Sequence, residues 1–366
     1  MLNKFQCPKK RRSHGGSLAR LAGVFLLLIA AAYFLGRGWW HNTDNGFSLG
    51  FTQTESAASA SDIFTSGQDY PVIVMIDNSP EAQPYHSGLA EALVVYETLA
   101  EGGSTRLEAL FAGAPQAERI GPVRSARPYF VQIAADWGAF YWHAGGSPEG
   151  LALIKELAGQ KQLTDLNEIS GLGPIYLWRD TSLAAPHNLF TGGAKIGKAL
   201  ADFELTNLPA DKLVWQWEKD GSDKKVKKQA ESAQGAAVSL AITFSPGMTF
   251  NPGYIYDAEA GVYKRSLAGR MHRDFNTKEQ LAGSNIIVQK VPAEWSLPSG
   301  YDRIDINIVG EGEALFFRDG QVFAGQWKKE SAAGQTEWFL NDKPFILKRG
   351  QTWVEIVPGE REVKYN

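Results

Sequence analysis

The sequence predicts a mixed α/β or α+β N-terminal ectodomain over residues 70–210 and a smaller, mostly antiparallel β domain over residues 211–366. A single N-terminal transmembrane helix precedes them. Three observations carry this reading. Short β-branched runs alternate with capped amphipathic stretches up to about residue 210. Past Asp211 the pattern turns almost purely to strands punctuated by Asp, Asn and Gly turn signals. Hydrophobic residues make up 44% of the 366 and charged residues 21%, which fits a sizeable core and excludes wholesale disorder.

Residues 1–20 form a basic tail with Lys4, Lys9, Lys10, Arg11, Arg12 and Arg20 and no acid. Of the total charge of −3, that tail supplies +6, which leaves −9 for the remainder and argues against a nucleic-acid partner. Leu21 to Gly36 is an unbroken apolar run, followed by Arg37, Trp39 and Trp40. As a helix it would span ~24 Å, short of a ~30 Å hydrocarbon core. Snorkelling arginines and the interfacial Trp pair narrow that gap. The charge asymmetry predicts a single-pass anchor with a cytoplasmic N-terminus and the main domains outside. A cleaved signal peptide, with Ala30-Ala31-Ala32 as its processing site, is the rival, and both readings place residues 41–366 outside the cytoplasm. The lone cysteine, Cys7, excludes an intrachain disulfide framework, a Cys-ligated zinc site and an iron–sulfur cluster.

Residues 37–69, rich in Ser, Thr, Gly, Ala and Asn, read as a flexible linker. Strands are then expected at Val72–Asp77, Ala92–Leu99, Thr105–Phe111 and Ala139–His143. Helices are expected at Ala126–Trp137 with Ser125 as N-cap, from Ser147-Pro148-Glu149 to about Ala158, and at about Ala194–Phe203. Lys224 to Lys228 reads as a solvated linker or strand edge. Hairpins are expected between Tyr254–Tyr256 and Val262–Arg265, between Ala314–Phe317 and Val322–Trp327, and between Glu337–Leu340 and Phe345–Leu347. They imply a small sandwich or barrel with Trp295, Trp327, Trp338 and Trp353 in its core and rim, carbohydrate stacking being the rival role.

Chemistry concentrates between Asp77 and Asn188. Asp77-Asn78 ends an apolar strand, where α/β sites form. In YETLAEGGSTR, Glu97 and Glu101 share one face of an extended chain, and Arg106, returning from the Gly-Gly turn, is the expected partner of Glu97. Asp77, Glu97 and Glu101 are the candidate metal ligands, for a divalent cation such as Mg. In GPVRSARPYF, Arg124 and Arg127 flank Ser125 at a helix N-terminus, where cations are unfavourable unless an anion joins them. YWHAGGSPEG places His143 at a strand end, with Ser147 explained as an N-cap. RDTSLAAPHN gathers Arg179, Asp180, His187 and Asn188 in one loop. Gly192 to Lys198 fits seven positions of a phosphate-binding loop, but Ala199 replaces the hydroxyl residue that the eighth requires, so the match is rejected.

VMIDN, YETLAEGGSTR, GPVRSARPYF, HAGGSP and RDTSLAAPHN, in this order, resemble the first domain of the YerB-like family of bacterial envelope proteins. GVYKR, SNIIVQ and GQTWVEIVP resemble its second domain, so that the likeness spans about residues 70–358. It implies an extracytoplasmic, membrane-attached, two-domain protein and supplies no activity. Many members resemble lipoproteins. Here Cys7 precedes the apolar run and cannot be the lipidated residue.

The leading expectation is a binding protein of the cell envelope. Arg106, Arg124, Ser125, Arg127, Arg179 and Asn188 would hold a phosphate-bearing anion, with His143 and His187 as orienting donors. The β domain would dock a protein partner. The enzymatic alternative is metal-assisted phosphoryl or pyrophosphoryl transfer on lipid-linked envelope polymers, with Glu97, Glu101, His143 and His187 as candidate catalytic residues. A purely structural docking module, with every charge paired internally, is the third reading.

Overall fold

The computed structural model describes residues 69–206, 215–219, 224–296 and 303–366. The basic tail, the apolar run 21–36, nearly all of the expected linker, the boundary at Asp211 and the side chain of Trp295 lie outside the described residues. Among the described residues no helix is long and apolar enough to cross a membrane.

A 12-stranded sheet organises the chain. Strand β1 (Pro71–Asp77) is buried along its whole length, as its near-continuous apolar sequence requires of a strand covered on both faces. It pairs antiparallel with β3 (Thr105–Ala112) and parallel with β4 (Phe140–His143), which in turn pairs parallel with β5 (Thr164–Asn167). Strand β2 (Val94–Leu99) pairs antiparallel with β3 on one side. On its other side it pairs parallel with Thr352–Pro358, Val94 opposite Thr352 and Glu97 opposite Glu355. The sheet then runs on through Asn285–Val291, Gly310–Arg318, Gln321–Lys329, Glu337–Leu340 and Lys343–Pro344. Strands from both sides of residue 211 therefore share one sheet, where the turn signals had implied a separate sandwich or barrel. A six-stranded sheet, which includes Ser239–Ile242, Pro252–Asp257 and Val262–Leu267, completes the β-rich half.

Helix α1 (Pro128–Asp136) starts later than the sequence implies, with Arg127 rather than Ser125 as its N-cap and no side-chain cap. Two causes act together. Arg127 precedes a proline and is extended, at φ −135 and ψ 155. The backbone of residues 124–126 is already committed, since Arg124 N–H donates to Met75 O at 3.0 Å and Ala126 N–H to Gly145 O at 2.9 Å. Helix α2 (Pro148–Gly159) does carry the expected cap, Ser147 Oγ accepting from Gly150 N–H at 3.1 Å.

Two further expectations change. The Lys224–Lys228 run is part of a helix, Lys224–Ala230, rather than a linker or strand edge. Asn341 and Asp342, at φ 51 and 59, form a two-residue turn that closes Glu337–Leu340 onto Lys343–Pro344. Ile346–Leu347 pairs instead with Gln216–Trp217. The Gly192–Lys198 segment opens the helix Gly193–Asp202, but Gly193 N–H donates to Ala117 O at 2.8 Å, so it is not free for a phosphate. Trp327, Trp338 and Trp353 are buried, which removes them as sugar-stacking platforms.

Candidate functional site

The end of β1 places Asp77 at the meeting point of three segments. Its N–H donates to Pro122 O at 2.8 Å, and Ile76 bridges Val123, so that residues 122–124 lie alongside the strand end. The carboxylate then turns the chain, Oδ1 accepting Ser79 N–H at 3.0 Å. Oδ2 takes His187 Nδ1 at 2.7 Å and faces Arg124 Nε at 3.4 Å. Ser79 Oγ lies 2.9 Å from the same His187 nitrogen. Asp77 is 3% exposed. Burial works against its charge, but Arg124, the Ser79 N–H and His187 outweigh it and hold the carboxyl below its ordinary range.

An ionised carboxylate only accepts, so Nδ1 of His187 carries a hydrogen. Nε2 takes no hydrogen bond among the described residues. The side chains of His187 and Arg124 are 18% and 27% exposed, so both reach solvent from beside a buried acid. The sequence reading named Asp77, Arg124 and His187 but missed Ser79. Its signal was a Ser-Pro step just after a strand-ending Asp-Asn.

The loop carrying His187 is clamped by two other expected ligand residues. Asn188 Nδ2 donates to Asp180 O at 3.2 Å and Leu183 O at 3.3 Å, and its Oδ1 accepts Arg179 Nη1 at 3.0 Å. Arg179 also pairs with Glu168 at 2.9 Å. Both residues shape the loop, and Arg179 is neutralised within it.

Arg106 and Arg127 converge on Glu101, Arg106 Nη2 at 3.2 Å and Arg127 Nε in direct contact. Arg106 Nη1 donates to Ser125 O at 2.7 Å, so Ser125 contributes its carbonyl rather than a helix cap. Burial, with the neighbouring Arg127 charge, pushes Arg106 down to about 10, against the pull of Glu101, and Arg124 adds to the same repulsion. Glu101 is lowered despite its burial, because the Arg127 bond and the Arg106 charge dominate. Arg106, Arg124 and Arg127 thus form a group of three cations that, among the described residues, only Asp77 and Glu101 oppose.

Glu97 is fully buried and its partner is Arg265, not Arg106. Asn78 Nδ2 and Thr105 Oγ1 donate to its other oxygen at 3.1 and 2.6 Å. Arg265 also donates to Tyr254 Oη at 3.1 Å and lies over the Trp353 ring, 4.2 Å from its centroid. Burial and the Glu97 charge push Glu355 upward. A hydrogen-bond chain then returns to the site. His86 Nε2 must donate to Asp77 O at 2.7 Å, which leaves Nδ1 to accept from His272 Nε2 at 2.7 Å. His272 Nδ1 in turn accepts from Arg265 Nη1 at 3.2 Å. Both imidazoles are neutral in this scheme. Burial, together with the Arg265 charge, takes His86 down to about 4 and His272 well below its ordinary value. The chain crosses from the first half of the sequence to the second, and the sequence alone left His86, His272 and Arg265 unassigned.

The candidate metal and catalytic sets do not assemble. Glu97 faces Arg265, Glu101 faces two arginines, and Asp77 faces His187 and Arg124. Among the described residues no group of three or more His, Cys, Asp or Glu side chains could hold a metal ion. His143 is buried, with its two ring nitrogens 2.7 Å from Gly145 O and Asp165 Oδ1 at the end of β4.

Known proteins resemble this chain along most of its length. Residues 60–206 match the profile described as the N-terminal domain of a protein of unknown function, DUF3048, and residues 240–354 match its C-terminal domain. The Bacillus subtilis protein described as "Putative lipoprotein YerB" is 29% identical over 289 residues, which cover 79% of this chain and 81% of that protein. The crystal structure of YerB protein from Bacillus subtilis superposes with a TM-score of 0.66 at 26% identity, covering 82% of this chain and 95% of that one. The YerB-like resemblance read from the motif series and these matches agree: the chain belongs to the DUF3048 family of proteins of unknown function, with both of its domains.

Proposed function

We propose that this protein is an extracytoplasmic, membrane-attached envelope protein that binds a phosphate-bearing anion at Arg124, Ser79 and His187. The location draws on the apolar run 21–36 between arginines and on the lipoprotein description of the Bacillus relative. One observation carries the binding reading. Among the described residues Arg124 has a single counter-ion contact, 3.4 Å from Asp77, while Arg106 and Arg127 are spent on Glu101. Its terminal nitrogens make no hydrogen bond among the described residues, and Ser79 and His187 meet it at the same Asp77 carboxylate; His187 Nε2 would donate to the anion as imidazolium. Arg106 and Arg127 supply a background of positive charge that favours the anion without touching it. The transferase alternative draws less support, because Glu97 and Glu101 are each occupied by arginine.

The test is calorimetric titration of the protein with phosphate, pyrophosphate and a prenyl phosphate, with and without magnesium. Arg124→Met removes charge-assisted hydrogen bonds worth about 1.5–3 kcal/mol, so it weakens binding roughly ten- to hundredfold. Binding that survives Arg124→Met unchanged removes this site.

A further inference from the structure

The lysine-rich helix Lys224–Ala230 borders a surface groove that the site above does not use. The groove has a volume of about 510 Å³, within the range that small-molecule sites occupy. Its lining includes Lys225, Lys228 and Lys343, against a single acid, Glu231. Leu340, Pro344 and Ile346 supply an apolar part, Leu340 and Ile346 being buried. The wall is built rather than incidental, because Gln229 fixes the helix to the opposite side. Its Nε2 donates to Pro344 O at 2.9 Å and its Oε1 accepts Ile346 N–H at 3.1 Å.

The lining carries more positive than negative side chains. Lys228 and Lys343 have no ion-pair partner among the described residues. Two lysines on one groove without a counter-ion suit a ligand that brings the negative charge itself. Ammonium groups act on phosphate as point charges, and an apolar floor has no use for a bare hydrated ion.

We infer that this groove is a second ligand site, which takes a single phosphate-headed amphiphile, its charge between Lys228 and Lys343 and its apolar chain on Leu340, Pro344 and Ile346. The concave shape favours one molecule held singly over the face of a bilayer. The inference stands apart from the Arg124 site, and either can fail without the other.

Octyl phosphate, below its micelle-forming concentration, is the probe for calorimetric titration against the whole protein. Saturable binding is expected, at least tenfold tighter than inorganic phosphate. Lys228→Glu with Lys343→Glu should abolish it, and the neutral pair Lys228→Gln with Lys343→Gln should weaken it at least tenfold if charge reversal compromises folding. Arg124→Met should leave it unchanged. Equal affinity for inorganic phosphate would overturn the apolar half of the inference. Binding to phosphatidylglycerol vesicles without binding to monomeric octyl phosphate would overturn the groove as a single-molecule site. Octyl phosphate binding that both lysine pairs leave intact would overturn it altogether.

Discussion

Arg265→Met is the most informative perturbation of the fold, because one side chain joins the β-rich half to the strand next to the site. The guanidinium is fully buried, with Glu97 and Glu355 also fully buried around it. Methionine keeps part of the stem packing over Trp353 but removes the one cation that, among the described residues, faces these two carboxyl groups. Breaking a buried pair from one side costs about 3–5 kcal/mol, since the stranded charge has lost its solvent and its partner. At roughly 2–4 °C per kcal/mol for a domain approaching this size, the melting temperature should fall by roughly 6–20 °C. The pH dependence gives a second signature. Without Arg265, which pulls it down, the Glu355 carboxyl rises further, so the folded state binds more protons than the unfolded chain. The deficit should therefore widen as pH rises and narrow toward acid. Adding Glu97→Gln and Glu355→Gln to Arg265→Met should restore most of the lost stability. Circular dichroism melts between pH 5 and 8 read all of this. A loss below about 1 kcal/mol, or a deficit that ignores pH, would refute the reasoning.

Other buried charges give further expectations. Lys329 contacts Asp136 in a buried pair, and burial pushes Asp136 up to about 6 against the attraction of Lys329. Lys329→Met should cost about 3–5 kcal/mol at neutral pH, and Asp136→Asn added to it should recover most of that in denaturant melts. Glu108 is fully buried and neither of its carboxyl oxygens has a hydrogen-bond partner, with burial and the Asp136 charge raising its pKa. A raised carboxyl destabilises progressively as pH climbs past its unfolded value, so Glu108→Leu should stabilise the protein by about 1–3 kcal/mol, more at pH 8 than at pH 5. Gly193→Ala would put a Cβ 1.7 Å from Pro115 O, against rigid backbone, and should destabilise by roughly 1–3 kcal/mol or more.

Local signals proved readable and distant pairings did not. The β1 sequence, the Ser147 cap and the Asp319-Gly320 hairpin depend on residues within one turn or strand, and the structure has each of them. The Ser125 cap failed because residues 124–126 were already bonded to Met75 and Gly145, which no local pattern reveals. Arg106 was assigned to Glu97 because it was the nearest cation along the chain. The actual partner, Arg265, is 168 residues away. The continuity of the sheet was hidden for the same reason, since β2 pairs in parallel with Thr352–Pro358. At the site, Asp77, Arg124 and His187 were legible as chemistry. Their convergence on one carboxylate oxygen was not, because it depends on a loop returning from more than a hundred residues downstream.

The most direct measurement of the central claim is an anomalous-diffraction map from crystals soaked in selenate, a tetrahedral oxyanion that stands in for phosphate. A peak within hydrogen-bonding distance of Arg124 and Ser79, absent from Arg124→Met crystals, is the predicted result. An ordered anion found only elsewhere on the molecule, with Arg124 still turned to Asp77, would contradict it.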